Sequence, residues 1–428
     1  MIDRYCLPKM KEIWEQTSKF GYYLDVELAV CEAYNRLGKI PNENLDFIKR
    51  NVKFDIARIN EIEQEVKHDF IAFLTSLNES LDKENASYLH VGLTSSDVID
   101  TALSLQIKDS GKIILEDLDK LIKSLRNLAL KHKHTICMGR SHGVHAEIMT
   151  FGIKVLSWLD AFERAKVDCE YVLEELKVGQ ISGPIGTYSN VLPDVENITC
   201  EILGLRPAKI STQVLPRDYH ARVFGVLAII ASLVERFATE IRHLQRTEVR
   251  ELEEGFGVGQ KGSSAMPHKK NPILCENLCG LARVIRSNLQ ASLDNIALWH
   301  ERDMSHSSVE RVTFPDSFIL VDFMLNRFND VVENLHVIEK NMSKNCELYG
   351  GIVFSQSVLL KLTELGYSRE DAYRIVQKHA LDALDNGTDF KSNLLNDIEL
   401  TDYKKLLESC FDKDAYLRNI DTIFERFL

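Results

Sequence analysis

The stretch VFGVLAIIASLVERFATEIRHL, residues 223–244, decides the fold: Val223, Leu227, Ile230, Val234, Phe237, Ile241 and Leu244 advance by alternating steps of four and three. That spacing lays the apolar side chains along one stripe of an α-helix, the seam on which helices of a bundle meet. The same step recurs in Ile114, Leu118, Leu121, Leu125 and Leu128, and again in Phe151, Val155, Trp158, Phe162, Ala165, Cys169, Val172 and Leu176. Phe318, Val321, Leu325, Phe328, Val332 and Leu335 make a further seam. Prolines are missing between Pro41 and Pro184 and between Pro216 and Pro267, so nothing breaks long helices there. A helix over about 222–252 would be on the order of 45 Å long, suited to a bundle whose outer faces bury against other subunits.

The expectation is an all-α chain of three helical domains. Residues 1–110 and 351–428 read as shorter helices, including 22–37 closed by Gly38 and Pro41, around a central long-helix bundle over 111–350. Gly179 to Pro193, with its glycines and Val/Ile alternation, reads as a small hairpin.

At 428 residues, 45% hydrophobic and 27% charged, the chain is globular. A net charge of −12 opposes general binding to nucleic acid or anionic membranes, so an anionic substrate must meet a local cationic pocket. The nine cysteines are scattered without a Cys-x-x-Cys, which fits reduced thiols in a cytoplasm. Cys275 and Cys279, four apart, read either as half a metal site or as buried small hydrophobes. Neither a signal core nor an apolar run of about 18 residues is present, which disfavours export and membrane spanning.

Chemistry concentrates in Gly262-Ser263-Ser264-Ala265-Met266-Pro267-His268-Lys269-Lys270-Asn271-Pro272. Hydroxyls, cations and an amide crowd a loop of turn residues, and Pro272 sets the entry to a helix over 273–299 whose first turn can present free N–H groups to an anion. Gly257-Val-Gly259-Gln-Lys-Gly262 spells the dinucleotide pattern, but a long charged helix precedes it where a strand is required. Histidines lie in polar, glycine-flanked contexts: His68-Asp69, His90 before Gly92, and His142-Gly143-Val144-His145. Thr94-Ser95-Ser96-Asp97 reads as a helix cap ahead of Val98–Ile107. Arg302 to Arg311 reads as a solvated turn with ion pairs or, with two arginines and three serines, as a phosphate or carboxylate site. Arg4-Tyr5 is open in the same way.

Together these motifs, with Ser141 to Glu147, Ser211-Thr212-Gln213, His243 to Glu248 and Trp299 to Asp303, resemble the fumarase/aspartase superfamily over essentially the whole chain. The resemblance is closest to members that release fumarate from N-succinylated purine nucleotides. It implies a homotetramer with a multi-helix core, active sites shared between subunits and no cofactor. The substrates it implies are adenylosuccinate, giving AMP, and the succinylaminoimidazole carboxamide ribotide SAICAR, giving AICAR. The reaction is an anti elimination, which needs a base and an acid on opposite faces of the substrate.

By the same resemblance Ser263 is the base, with Ser264 the chemical runner-up, and loop N–H groups, the helix start and Lys269 favour its alkoxide. His142 is the general acid, with Glu276 hydrogen-bonded to it, and His68 assists near the phosphate and leaving group. Thr94, Ser95, Gln213, Lys269 and Asn271 hold the succinyl carboxylates. Arg4, Tyr5, Arg302, Ser307 and Arg311 hold the nucleotide, and Asp69, His90 and Met266 complete the substrate-binding set. No metal is implied. Ser141 and Ile148 depart from the threonine and proline of the pattern. Argininosuccinate lyase or fumarase chemistry, and a silent crystallin-like scaffold, are the alternatives.

Overall fold

The computed structural model describes residues 2–257 and 265–427. Among these residues the chain is helical, and its strands form three two-stranded ladders. Five long helices dominate: Ser95–Lys131, Phe151–Glu175, Arg217–Leu244, Ile273–Asp294 and Ser305–Glu333. The first has 37 residues, about 55 Å of helix. Every seam residue named above except Val172 is buried.

Two compact units divide the chain: Met1–Lys120 with Phe162–Glu235 and Leu278–Arg327, and Leu121–Ala161 with Arg236–Asn277 and Phe328–Leu428. In the first, Ile114, Leu173, Val223 and Phe318 from four of the long helices surround one small void, and Phe224 meets Phe314 at 4.7 Å between ring centres. A second apolar core lies under Gln16–Arg36 and Asp69–Glu79, where Phe20 stacks on Phe73 at 5.5 Å. In the other unit Trp158 stacks on Phe237 at 5.1 Å, and Lys154 pairs with Glu240 at 2.6 Å. Val358, Leu362, Phe390 and Leu407 build a separate core among the short C-terminal helices.

Several sequence expectations shift. The seams are covered within the single chain, so they do not by themselves call for a partner. Val167, Tyr171, Ile229, Val284 and Val312 are among the apolar residues the long helices leave exposed. The helix expected to reach 252 ends at Leu244, because the Glu251 N–H returns to the Leu244 carbonyl (2.8 Å) and Arg250 turns to φ 47. The one expected to reach 299 ends at Asp294. Part of the Arg302–Arg311 turn is already helix, from Ser305 onward.

No hairpin forms in 179–193. Backbone donors at its start go to side chains instead: the Ile181 N–H to Glu196 (2.8 Å), and those of Ser182 and Gly183 to Asp97 (2.9 and 3.2 Å). Val178–Gly179 pairs in parallel with Arg206–Pro207. The hairpin lies instead at Ile136–Ser141 and Val144–Thr150, with His142 and Gly143 as its turn.

Candidate active site

Within the first unit, a cavity of about 330 Å³ opens between the start of Gln16–Arg36, the first turns of Ser95–Lys131 and the start of Ser305–Glu333. Arg302, Ser307 and Arg311, all anticipated, line it together. Arg302 donates to Gln213 Oε1 at 3.1 Å, which joins two anticipated residues directly. Arg311 pairs with Asp69 at 2.7 Å, and Lys19 reaches the same carboxylate at 3.4 Å. Burial works to raise the Asp69 carboxyl, but Lys19 and Arg311 hold it below its ordinary value. Burial pulls the Lys19 ammonium down, with Asp69 opposing and Arg311 adding to the effect. This wall suits an anion.

Sequence reasoning missed what stands behind it. Arg217 is buried at the start of its helix and grips Asp100 (2.6 and 2.9 Å), while its Nε lies 3.1 Å from Glu310. His220 Nδ1 shares Glu310 at 3.0 Å. His306 also lines the cavity, and burial followed by the charge of Arg217 pulls its imidazole below the ordinary value.

Thr94 and Ser95 sit at the mouth of the long Ser95–Lys131 helix as expected of a cap. The Thr94 N–H donates to Asp97 at 2.8 Å, and the same buried carboxylate ties down the 182–183 backbone. Burial pushes Asp97 up to about 6, against the pull of those N–H groups. His90 (φ 57) donates its N–H to the buried Glu27 (3.0 Å), and its Nδ1 lies 2.7 Å from the other carboxylate oxygen. His68 is exposed and caps Asp69–Glu79, its Nδ1 accepting weakly from the Ile71 N–H at 3.4 Å. Arg4 is exposed beside Tyr5, whose ring meets Phe323 edge-on at 5.1 Å.

In the other unit His142 stands exposed at the hairpin tip with φ 55, next to Gly143 at φ 79. A two-residue turn with both φ values positive matches the strand twist, and a non-glycine residue held there is a strained position of the kind found at functional sites. The hairpin is anchored by Arg140, which donates to both carboxylate oxygens of the buried Glu251 (2.6 and 3.1 Å). Met266, Lys269 and Glu276 are exposed, and the Met266 carbonyl accepts the Lys269 N–H at 3.1 Å. Among the described residues no hydrogen bond joins His142 to Glu276. Ser263 and Ser264 lie outside the described residues, as do Gly259 and Gly262 of the glycine pattern.

One expectation for this loop is overturned. The first turn of Ile273–Asp294 has no N–H groups to spare for an anion. Those of Ile273 and Glu276 go to the carbonyls of Asn271 and Pro272 (2.9 and 3.0 Å), and those of Leu274 and Cys275 go to the carboxylate of Glu254 (3.1 and 2.6 Å). Cys275 and Cys279 are buried, and among the described residues no group of three or more His, Cys, Asp or Glu is placed to hold a metal.

Residues 5–287 match the family described as lyase, and 351–427 match the adenylosuccinate lyase C-terminus. The chain is 51% identical to an adenylosuccinate lyase of Synechocystis sp. over 100% of its own length and 99% of the relative's. It is 46% identical to that of Bacillus subtilis, with the same coverage. A solved fumarate lyase from Mesorhizobium sp. superposes with a TM-score of 0.91 at 25% identity, covering 100% of this chain and 99% of the other. A 3-carboxy-cis,cis-muconate lactonizing enzyme from Pseudomonas putida superposes at 0.89 and 25% identity, over 99% and 96% of the two chains.

Proposed function

The chain belongs to the adenylosuccinate lyases, carbon–nitrogen lyases of the fumarase/aspartase superfamily, and from that premise we propose that it eliminates fumarate from adenylosuccinate and from SAICAR, leaving AMP and AICAR. The observation that carries the reading to a nucleotide is the cationic cavity of Arg302, Ser307, Arg311 and Lys19, built into a chain of net charge −12. A phosphate brings the negative charge and acceptor oxygens such a wall is built to meet.

In this reading Ser263 Oγ removes the proton from the succinyl carbon next to the one bearing nitrogen. The electron pair becomes the fumarate double bond as the carbon–nitrogen bond breaks, and the nitrogen takes a proton from His142. Departure of a poor nitrogen leaving group depends on that protonation. Thr94, Ser95, Gln213, Lys269 and Asn271 hold the succinyl carboxylates, and His68, Asp69, His90, Met266, Arg4 and Tyr5 complete the site. Because the amides at the start of Ile273–Asp294 are occupied, the positive potential that favours the serine alkoxide falls to Lys269 and loop N–H groups rather than to that helix end.

His142 and Glu276 are both exposed and unbonded to each other in one chain, so their pairing is assigned across subunits of a homotetramer. The exposed Val167, Tyr171, Ile229, Val284 and Val312 support burial of the long helices against copies of the chain. A boundary near 350 is supported by the separate C-terminal match over 351–427, whereas the lyase match over 5–287 runs across the division expected at 110. A cytoplasmic location is supported by nine free cysteines. No helix among the described residues is long and apolar enough to cross a membrane.

The test is the ultraviolet absorbance change of adenylosuccinate with the purified chain beside a Ser263→Ala variant. Conversion to AMP and fumarate that the substitution abolishes supports reaction and base together. Turnover of argininosuccinate or malate without turnover of adenylosuccinate overturns the reading.

A further inference from the structure

The carboxylate of Glu254 is 6% exposed and has a backbone N–H on each oxygen, Cys275 at 2.6 Å and Leu274 at 3.1 Å. It therefore ties the chain before Gly255 to the start of the helix that carries Glu276, directly after the stretch that bears Lys269 and Asn271. Around it runs a second set of ties between the same two ends. The Glu254 N–H donates to Gln245 Oε1 (3.0 Å), Gln245 Nε2 donates to the Lys270 carbonyl (3.2 Å), and Lys270 Nζ reaches Glu253 at 3.1 Å. The strand leading in is fixed by Leu252 and Glu253 pairing with Val337 and His336. At Gly255 an added Cβ would come within 2.7 Å of Asn334, so the backbone is pressed against the end of Ser305–Glu333.

The surface ties are replaceable by water; the Glu254 bonds are not, because a buried donor that loses its acceptor keeps its full desolvation cost. A charged acceptor also sits well at the positive end of a helix.

We propose that Glu254 is a positioning residue for the elimination: it fixes the start of Ile273–Asp294 and, through it, sets where Lys269, Asn271 and Glu276 stand. The inference rests on the lyase reading above for the reaction it serves. It does not rest on it for the clamp itself. Misplacing catalytic groups by about an ångström costs on the order of a hundredfold in rate, so loss of the clamp should lower kcat, and because Lys269 and Asn271 are also assigned to the succinyl carboxylates, KM should rise with it. Nucleotide binding is assigned to other residues.

The experiment compares the unmodified chain with Glu254→Ala, Glu254→Gln and the control Leu362→Ala, which cuts a buried side chain in the C-terminal core. Steady-state kinetics with adenylosuccinate are measured alongside amide hydrogen exchange over 265–276. The expected result is a kcat lower by about a hundredfold in Glu254→Ala, a smaller loss in Glu254→Gln, which keeps one acceptor oxygen, and faster exchange confined to 265–276. Leu362→Ala should keep its kcat at a comparable loss of melting temperature. Should Glu254→Ala not fold, Glu254→Gln carries the comparison. A Glu254 variant that loses no more kcat than Leu362→Ala, or whose 265–276 exchange is unchanged, overturns the proposal. An unmodified chain inactive on adenylosuccinate sinks the lyase reading, and the exchange measurement still decides the clamp.

Discussion

Arg217 grips Asp100 through two parallel hydrogen bonds of 2.6 and 2.9 Å, with both side chains 2% exposed. The pair ties the start of Arg217–Leu244 to the second turn of Ser95–Lys131. Through Glu310 it also reaches the helix that carries Ser307 and Arg311. Three elements that wall the cavity of Arg302, Ser307 and Arg311 are thus fastened at one buried point. Burial works against the Asp100 anion, and the guanidinium more than compensates, holding its carboxyl below the ordinary range. Removing one partner of a buried pair strands the other charge, at a cost of about 3–5 kcal/mol. Arg217→Met should lower unfolding stability by that amount, read from chemical denaturation. Arg217→Met together with Asp100→Asn should recover part of it, because Asp100 is then no longer stranded and Glu310 keeps His220 as a neighbour.

A second buried acid gives a pH prediction. Burial, with Asp117 alongside, pushes Asp322 up to about 8, while Lys120 and Asn326 pull the other way. Asn326 Nδ2 donates to both carboxylates, at 2.8 Å to Asp117 and 3.0 Å to Asp322. The folded pKa lies above the unfolded value of about 4, so the folded chain holds a proton that the unfolded chain has released. That contribution is fully present below the unfolded value and is lost as pH rises through about 8. The melting temperature of the unmodified protein should therefore fall from about pH 5 to about 8 and level off above that. Asp322→Asn, which mimics the protonated acid, should flatten that slope, and an unchanged slope would falsify the assignment.

How much of this the sequence disclosed depends on whether the signal was local. The seams were legible because burial on a helix imprints a step of four and three, as at Val223, Leu227 and Ile230. The cap at Thr94 to Asp97 was equally local. The hairpin carrying His142 was missed because its turn is His142-Gly143, a pair without the usual Asn-Gly mark, and because Val144–Thr150 alternates poorly between buried and exposed. The hairpin wrongly expected at 179–193 has the right glycines, but Asp97 and Glu196 take backbone donors at its start. Neither carboxylate announces that role from so far along the chain. Arg217, Asp100 and Glu310 each look like an ordinary charge on a helix, and Lys19 carries no motif at all. Their significance arises only when the fold brings them to one cavity.

The last prediction concerns sites shared between subunits. His142 stands at an exposed hairpin tip, and no hydrogen bond joins it to Glu276, the residue assigned to support its charge. If each active site takes His142 from one chain and Ser263 from another, then His142→Ala and Ser263→Ala chains should each be inactive alone. Mixed in equal amounts and allowed to exchange, they should form some intact sites. Random assembly supplies an intact histidine half the time and an intact serine half the time, so about a quarter of the unmodified activity should return. Exchange is verified separately by tagging one variant and recovering the other with it. Mixed assemblies with no recovered activity would mean that His142 and Ser263 act from the same chain. The helix faces bearing Val167, Tyr171 and Ile229 would then serve assembly without completing the site.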